Sequence, residues 1–496
     1  MDKRFIAECE REALHLSGAI QAHGALLICD ERRQVTHWSH NLPEFLPDAG
    51  PLSPGCPLPQ ALAAVLDRSV AQGSPRQQFD QVLGRPDSLP LDVTLIRGTH
   101  GQLLFELSHG EDADTLHTPP PSQPPASPSG NRPPSLAGLA AQQQALVEQV
   151  FALSGFQRVL YYHFRDDGDG EVLAEQHCPD NYGSYLGLRF PASDIPQIAR
   201  QLYLLNPWRL ISDASAPAVA LTGLPEPPDL SRSDLRSVSP IHAIYMSNMG
   251  VRASLSFPIT VAGQLWGLLT CHDTRVRHPP VATLATLAGM VRAHGMQVTA
   301  TLAQHRMQLV DGLMRRFTPA SEIIHRAGSL LTAWPELGVW LGEEFSVDSA
   351  QICLGEEQAH WGEGLEAEAL AAIDHWFVRT HSDPVWMADS LSRQMPLFPL
   401  SQVAGVLAFK ARLPDGRFLR VYLGRLEYIH EVAWGGNPDK PVEYHDGQLG
   451  IAPRRSFEKW VEKCVGRCRP WGNETRLLAL RLRELLLGLA QHERPV

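Results

Sequence analysis

Residues 235–256 read LRSVSPIHAIYMSNMGVRASLS, and residues 190–196 read FPASDIP. The two stretches bring an Asp, two Arg, a His, a Tyr and several Ser into one part of the chain, among apolar positions. That mix suits a large, flat, acid-bearing ligand. Apolar side chains wall its body, and guanidinium and hydroxyl donors meet its carboxylates.

Outward from these stretches, bulk properties exclude more than they assign. A chain of 496 residues is too long for one core and points to about three domains. Hydrophobic content of 44% and charge of 20% are ordinary for globular protein. A net charge of −11, without a basic run, argues against a nucleic-acid partner. No apolar stretch reaches the ~18 residues of a membrane span. The start, MDKRFIAECEREAL, has no apolar region of the signal-peptide kind. The eight cysteines form no disulfide framework, and Cys464 with Cys468 lacks the companions of a zinc site. A cytoplasmic chain with reduced thiols is expected.

Residues 24–109 alternate strand-like runs (GALLICD, VTHWSH, LDVTLIRG, LLFELSH) with one helical pattern near 58–72. Residues 118–134, TPPPSQPPASPSGNRPP, hold eight prolines and almost no bulky apolar residue, so they read as an extended linker. A helix from about 136 then leads into strands RVLYYHF and EVLAEQ, helical DIPQIARQLYLL, and strands ASLSFPIT and GQLWGLLTCHD. Val281, Leu284, Leu287, Ala288 and Val291 recur at helical spacing and predict a long connecting helix over roughly 281–307. A third α+β region begins near 310. It carries a Pro-Asp-Gly hairpin signal at 414–416 and ends in LLALRLRELLLGLAQ. Leu477, Leu480, Leu485 and Leu489 give that last helix an apolar face able to pair with a second copy.

Four separated motifs resemble the photosensory core of bacterial phytochromes. These are CEREALHLSGAIQAHGALL (9–27), FPASDIP, the 235–256 stretch, and PRRSF (453–457) with WGGNP (434–438) as the other limb of the same arm. The resemblance covers nearly the whole chain and implies an α+β architecture of three tandem sensor domains, PAS, GAF and PHY. Each is an antiparallel sheet flanked by helices, and they are joined by a helical spine. The implied divisions are 1–117 for the N-terminal extension and PAS, 118–135 for the linker, 136–308 for the bilin-binding GAF domain and 309–496 for PHY. A tongue, about 429–457, extends from PHY to GAF.

The resemblance also implies roles for individual residues. Cys9 matches the cysteine that forms a thioether with the ring A vinyl group of biliverdin IXα. Ile241 stands where relatives with more reduced bilins have their cysteine, which favours biliverdin. Read alone, Cys9 is a free thiol near a chain end. Ala22 replaces the usual Pro of the IQPHG-type turn and restores backbone freedom there. Asp194, in isolation a helix cap, matches the aspartate beside the pyrrole nitrogens whose carboxylate reaches a tongue arginine. Ile195 and Pro196 complete that motif. His242, in isolation a satisfied core histidine, matches the one that contacts the shared pyrrole water and sets the chromophore's proton affinity. His272 matches the histidine bonded to the ring D carbonyl. Tyr162, Phe190 and Tyr203, otherwise plain core aromatics, would shape the ring D cavity. Arg209, Arg236, Ser239, Tyr245, Ser254 and Ser256 would clamp the two propionates, with 254 and 256 on one strand face. Trp434, Arg454 and Ser456 belong to the tongue, where Arg454 is expected to pair with Asp194 in one light state.

The implied function is a red/far-red photoreceptor that binds biliverdin covalently and acts as a homodimer. It would signal to a histidine kinase or response-regulator output. A GAF-type cyclic-nucleotide sensor is the other class, but it leaves Cys9 and the tongue arginine without a role. No P-loop, GxSxG, HExxH or glycine-rich ATP lid is present, so the chain reads as a sensory module and not an enzyme.

Overall fold

A computed structural model describes residues 13–69, 75–83, 90–109, 136–179, 183–363, 365–395, 397–399, 401–413, 416–438, 442–445, 448–451 and 458–490. Cys9, the proline-rich linker, Arg454 and Ser456 lie outside the described residues. Residues 1–303 with 433–460 form one compact unit, and 304–432 with 461–496 form another.

In the first unit, the expected strands near the N-terminus form as Gly24–Cys29, Val35–Ser39, Leu91–Arg97 and Leu103–His109. A further edge strand, Arg76–Leu83, pairs with Leu91–Arg97. Its sequence, RQQFDQVL, is too polar to show the alternation that marks a half-buried strand. Helix Gln60–Arg68 buries Leu62, Val65 and Leu66 against this sheet.

The same sheet recruits a strand from 200 residues downstream, as its order shows. Val219–Gly223 pairs antiparallel with Ala19–Ile20 on one side and Val35–Ser39 on the other. The IQAHG turn is therefore tied to the second domain. Gln21 Nε2 donates to the Leu210 carbonyl at 2.8 Å, and the Gln21 main-chain N–H donates to Leu235 O. Ala22 is an exposed turn residue, so the anchoring falls on its neighbours and tolerates the missing proline.

The second sheet contains Arg209–Ile211, Ala253–Val261, Gln264–Asp273, Arg158–Phe164, Gly170–His177 and Arg189–Phe190, in that spatial order. Period-2 alternation divides its faces. Ala253, Leu255, Phe257, Leu269, Cys271, Val159 and Tyr161 pack into a core with helix Leu136–Ser154 and with Leu284, Leu287, Ala288 and Val291 of the long helix. The opposite face carries Ser254, Ser256, Leu268, Thr270, His272, Leu160 and Tyr162, which line a cavity.

The long helix runs Val281–Ala327, twenty residues beyond the 307 expected. Leu313, Phe317, Ala320 and Ile324 continue the helical spacing and are buried in the core of the second unit, which keeps the helix going past Pro319.

The second unit is a five-stranded antiparallel sheet in which Val403–Arg412 and Phe418–Leu426 form the expected hairpin. Gly416 takes the left-handed φ of +90° that the turn requires; residues 414 and 415 lie outside the described residues. Helix Asn473–Ala490 corrects the expected pairing face. Leu478, Ala479, Leu482 and Leu486 are fully buried in this unit's own core, while Leu477, Leu480, Leu485 and Leu489 sit half-buried beside them. The apolar side is thus largely occupied within its own domain. Among the described residues, no helix is long and apolar enough to cross a membrane.

Candidate functional site

The sheet register builds the site. Arg209 opposes Ser256, which opposes Thr270; Ile211 opposes Ser254, which opposes His272. Two cross-strand rows, polar except for Ile211, therefore face the same cavity, of about 240 Å3. Helix Pro240–Asn248 closes another side with His242, Tyr245 and Met246, and Met249 follows at its end. These positions recur at helical spacing and so share one helix face. The turn Ala192–Asp194 and helix Gln197–Leu205 supply Asp194, Ile195, Pro196 and Tyr203.

Every pocket residue expected from the sequence lines this one cavity: Tyr162, Phe190, Asp194, Ile195, Pro196, Tyr203, Arg209, Arg236, Ser239, His242, Tyr245, Ser254, Ser256 and His272. Sequence reasoning missed Thr270 and Leu268, although period 2 counted back from His272 would have found both. It also missed Trp208, Tyr185, Met246 and Met249.

Local bonding fixes the PASDIP loop. Arg200 donates to the carbonyls of Ile195 (2.8 Å) and Gly168 (2.7 Å), and the Asp169 carboxylate accepts from the Ala192 N–H at 2.9 Å. No side chain caps helix Gln197–Leu205. The Asp194 carboxylate instead accepts a hydrogen bond from the Tyr245 hydroxyl at 3.0 Å.

Two guanidinium groups lie against the cavity with different employment. Arg209 donates to the main-chain carbonyls of Asp234 (2.8 Å), Arg236 (2.6 Å) and Ser237 (3.1 Å), pinning the loop that carries Arg236. Among the described residues, Arg236 has only long contacts, 3.4 Å, to the carbonyls of Leu230 and Ser231. Neither has a carboxylate at ion-pair distance among the described residues, because the Asp234 carboxylate is engaged by Arg76. Burial, then the charge of Arg209, pushes Arg236 down to about 9. Two close cations in a desolvated site call for an anion.

The histidines are held neutral. Burial pushes His242 down to about 4, with Arg209 reinforcing and Asp194 opposing. Its side chain lines the cavity and lies nearly parallel to the Tyr245 ring at 6.0 Å. Burial pushes His272 down to about 3, helped by Arg158 and His242. Its Nδ1 is buried without a hydrogen-bond partner among the described residues, and the residue lines the cavity. Burial also raises the Tyr203 phenol, against a hydrogen bond with Ser256.

The 433–435 segment meets this site through Phe190. Trp434 is buried and pairs in parallel with Arg189, next to Phe190. A Cβ on Gly435 would come within 2.5 Å of the Phe190 ring, so glycine permits a close approach there.

Three family models match in order along the chain: a PAS fold over residues 9–107, a GAF domain over 139–293 and the phytochrome region over 303–495. These define a tandem PAS-GAF-PHY sensor core. The bacteriophytochrome of Pseudomonas aeruginosa is 30% identical over 522 residues, covering 98% of this chain and 66% of the relative. Cyanobacterial phytochrome B of Nostoc sp. is 29% identical, with the same two coverages. The wild-type photosensory core module of Stigmatella aurantiaca phytochrome superposes with a TM-score of 0.80 at 29% identity, covering 98% of this chain and 99% of that one. The chain belongs to the phytochrome family of photoreceptors. It spans about two thirds of the length of these two curated relatives.

Proposed function

We propose that this protein is a red/far-red photoreceptor that carries biliverdin IXα, covalently attached through Cys9, in the cavity of its GAF domain. The observation that carries this reading is the donor set facing one cavity. Among the described residues Arg236 is buried without a carboxylate partner, and Ser254, Ser256 and His272 line the same cavity. A linear tetrapyrrole has the matching chemistry, with two propionates, a ring carbonyl and a flat apolar body.

Arg236 and the two serines would hold propionate oxygens, and Arg209 would keep their loop in place. Neutral His272 would present a ring N–H to the ring D carbonyl. His242 and the Asp194 turn would offer acceptors to the pyrrole nitrogens, while Tyr162, Phe190 and Tyr203 exclude water. The bilin supplies light absorption and isomerisation about a methine double bond. Asp194, held by Tyr245, and Phe190, packed under Gly435, would then pass a local change to the tongue. There Arg454 would pair with Asp194 in one light state, biasing a two-state element. Relay along the tongue and spine to an output domain or partner, in a dimer, completes the proposal.

Titrating the protein with biliverdin and following visible absorbance tests the ligand assignment. A saturating 1:1 complex is expected, weakened about tenfold or more by Arg236→Ala. A protein that stays colourless, as a nucleotide sensor would, contradicts it.

A further inference from the structure

A second cavity, of about 270 Å3, lies on the other side of Trp208 and Asn206, two residues that line both cavities. Its walls come from three parts of the same unit: Arg76 and Gln78 of the PAS edge strand, Arg232 of the 230s loop, and Arg292 of the long helix. Among the described residues no acidic residue lines it, although the chain as a whole carries a net charge of −11. Arg76 is already matched. It binds the Asp234 carboxylate at 2.5 Å, donates to the Arg232 carbonyl at 3.0 Å and stacks 5.3 Å from the Trp208 ring. Arg232 and Arg292 have no ion-pair partner among the described residues. Asn206 is buried, and its side-chain carbonyl likewise lacks a hydrogen-bond partner among the described residues.

We propose that this cavity binds a small phosphate-bearing anion between Arg232 and Arg292, as an effector site separate from the bilin cavity. Two unmatched guanidinium groups facing one concave, acid-free surface are the donor set that phosphate oxygens require. An occupant would tie the PAS strand to the 230s loop and the long helix. That loop also carries Arg236 and is pinned by Arg209, so occupancy is transmitted to the first cavity through rigid main chain.

The test is isothermal titration of the full chain with pyrophosphate at constant ionic strength, in parallel with and without biliverdin. The two preparations separate this site from the bilin reading. Saturable 1:1 binding is expected in both, and Arg232→Gln and Arg292→Gln should each weaken it about fivefold or more. Both variants should keep the melting temperature of the parent, which checks that each one folds. Parallel titrations with inorganic phosphate and AMP identify the source: tighter AMP binding assigns a nucleotide, tighter phosphate binding a free phosphate. Absence of saturable heat, or unchanged affinity in both single variants, overturns the proposal.

Discussion

The Tyr245 hydroxyl donates to Oδ2 of Asp194 at 3.0 Å, joining helix Pro240–Asn248 to the turn Ala192–Asp194. The two motifs singled out in the sequence are thus one bonded unit. Tyr245→Phe removes that bond at almost constant volume, with a cost of about 1 kcal/mol. Hydrogen exchange over residues 192–196 should accelerate by about fivefold, while biliverdin binding persists and photoconversion becomes incomplete. Unchanged exchange and photoconversion would show that the bond has no part in positioning Asp194.

The two cavity arginines should respond in opposite ways. Arg209 holds three main-chain carbonyls, so Arg209→Ala leaves those acceptors unmatched and should lower the stability of the apoprotein by about 2 kcal/mol. Arg236 is a buried cation pressed by Arg209 and weakly bonded. Arg236→Ala should therefore leave apoprotein stability equal or higher and lower only ligand affinity. Denaturant unfolding with a parallel biliverdin titration separates these effects, and equal stability losses would refute the division of labour.

Acid should destabilise the apoprotein well above the usual carboxylate range. Burial pushes His294 down to about 4, and its Nε2 lies 3.2 Å from the Tyr161 hydroxyl in the core. The unfolded chain binds its proton near pH 6.5, so between 6.5 and 4 the unfolded state holds more protons than the folded one. Stability is complete above that window and falls as pH drops through it, by on the order of 3 kcal/mol for this one group. His242 and His272 add in the same direction. Urea midpoints measured from pH 7.5 to 4.5 should show the fall, and His294→Gln should flatten it. Identical slopes in the two proteins would remove His294 from the explanation.

Covalent attachment is expected at Cys9. Cys9→Ala should lose the zinc-fluorescent bilin band on denaturing electrophoresis yet retain a coloured noncovalent complex, because the cavity makes most contacts. A fluorescent band that survives would assign the nucleophile elsewhere. Cys271 is a poor candidate, since burial pushes its thiol up to about 12 and it lies on the core face of the sheet.

Much of this was legible in the chain because short motifs and strand alternation carry local information. The alternation 254, 256 placed two hydroxyls on one face, and register then set them opposite His272 and Thr270. Long-range choices were not legible. Nothing local in VALTG announces that it completes a sheet begun 200 residues earlier, and the polar edge strand Arg76–Leu83 lacks a period to read. The end of the long helix was misplaced because the apolar positions cited for it stop at Val291, whereas Met307, Val310, Leu313 and Phe317 carry the helical spacing on. Arg209 was grouped with Arg236 as a propionate clamp on the family resemblance, whereas its hydrogen bonds to the 234–237 main chain depend on tertiary approach.

The central claim, that this cavity makes the protein a light switch, meets its most direct test in a difference spectrum. Biliverdin-loaded protein is recorded in darkness, after saturating red light and again after far-red light. The account predicts a long-wavelength band that moves reversibly between two positions, with the photoproduct unstable or incomplete in Arg454→Ala. A bound pigment whose spectrum is identical before and after both illuminations would contradict it.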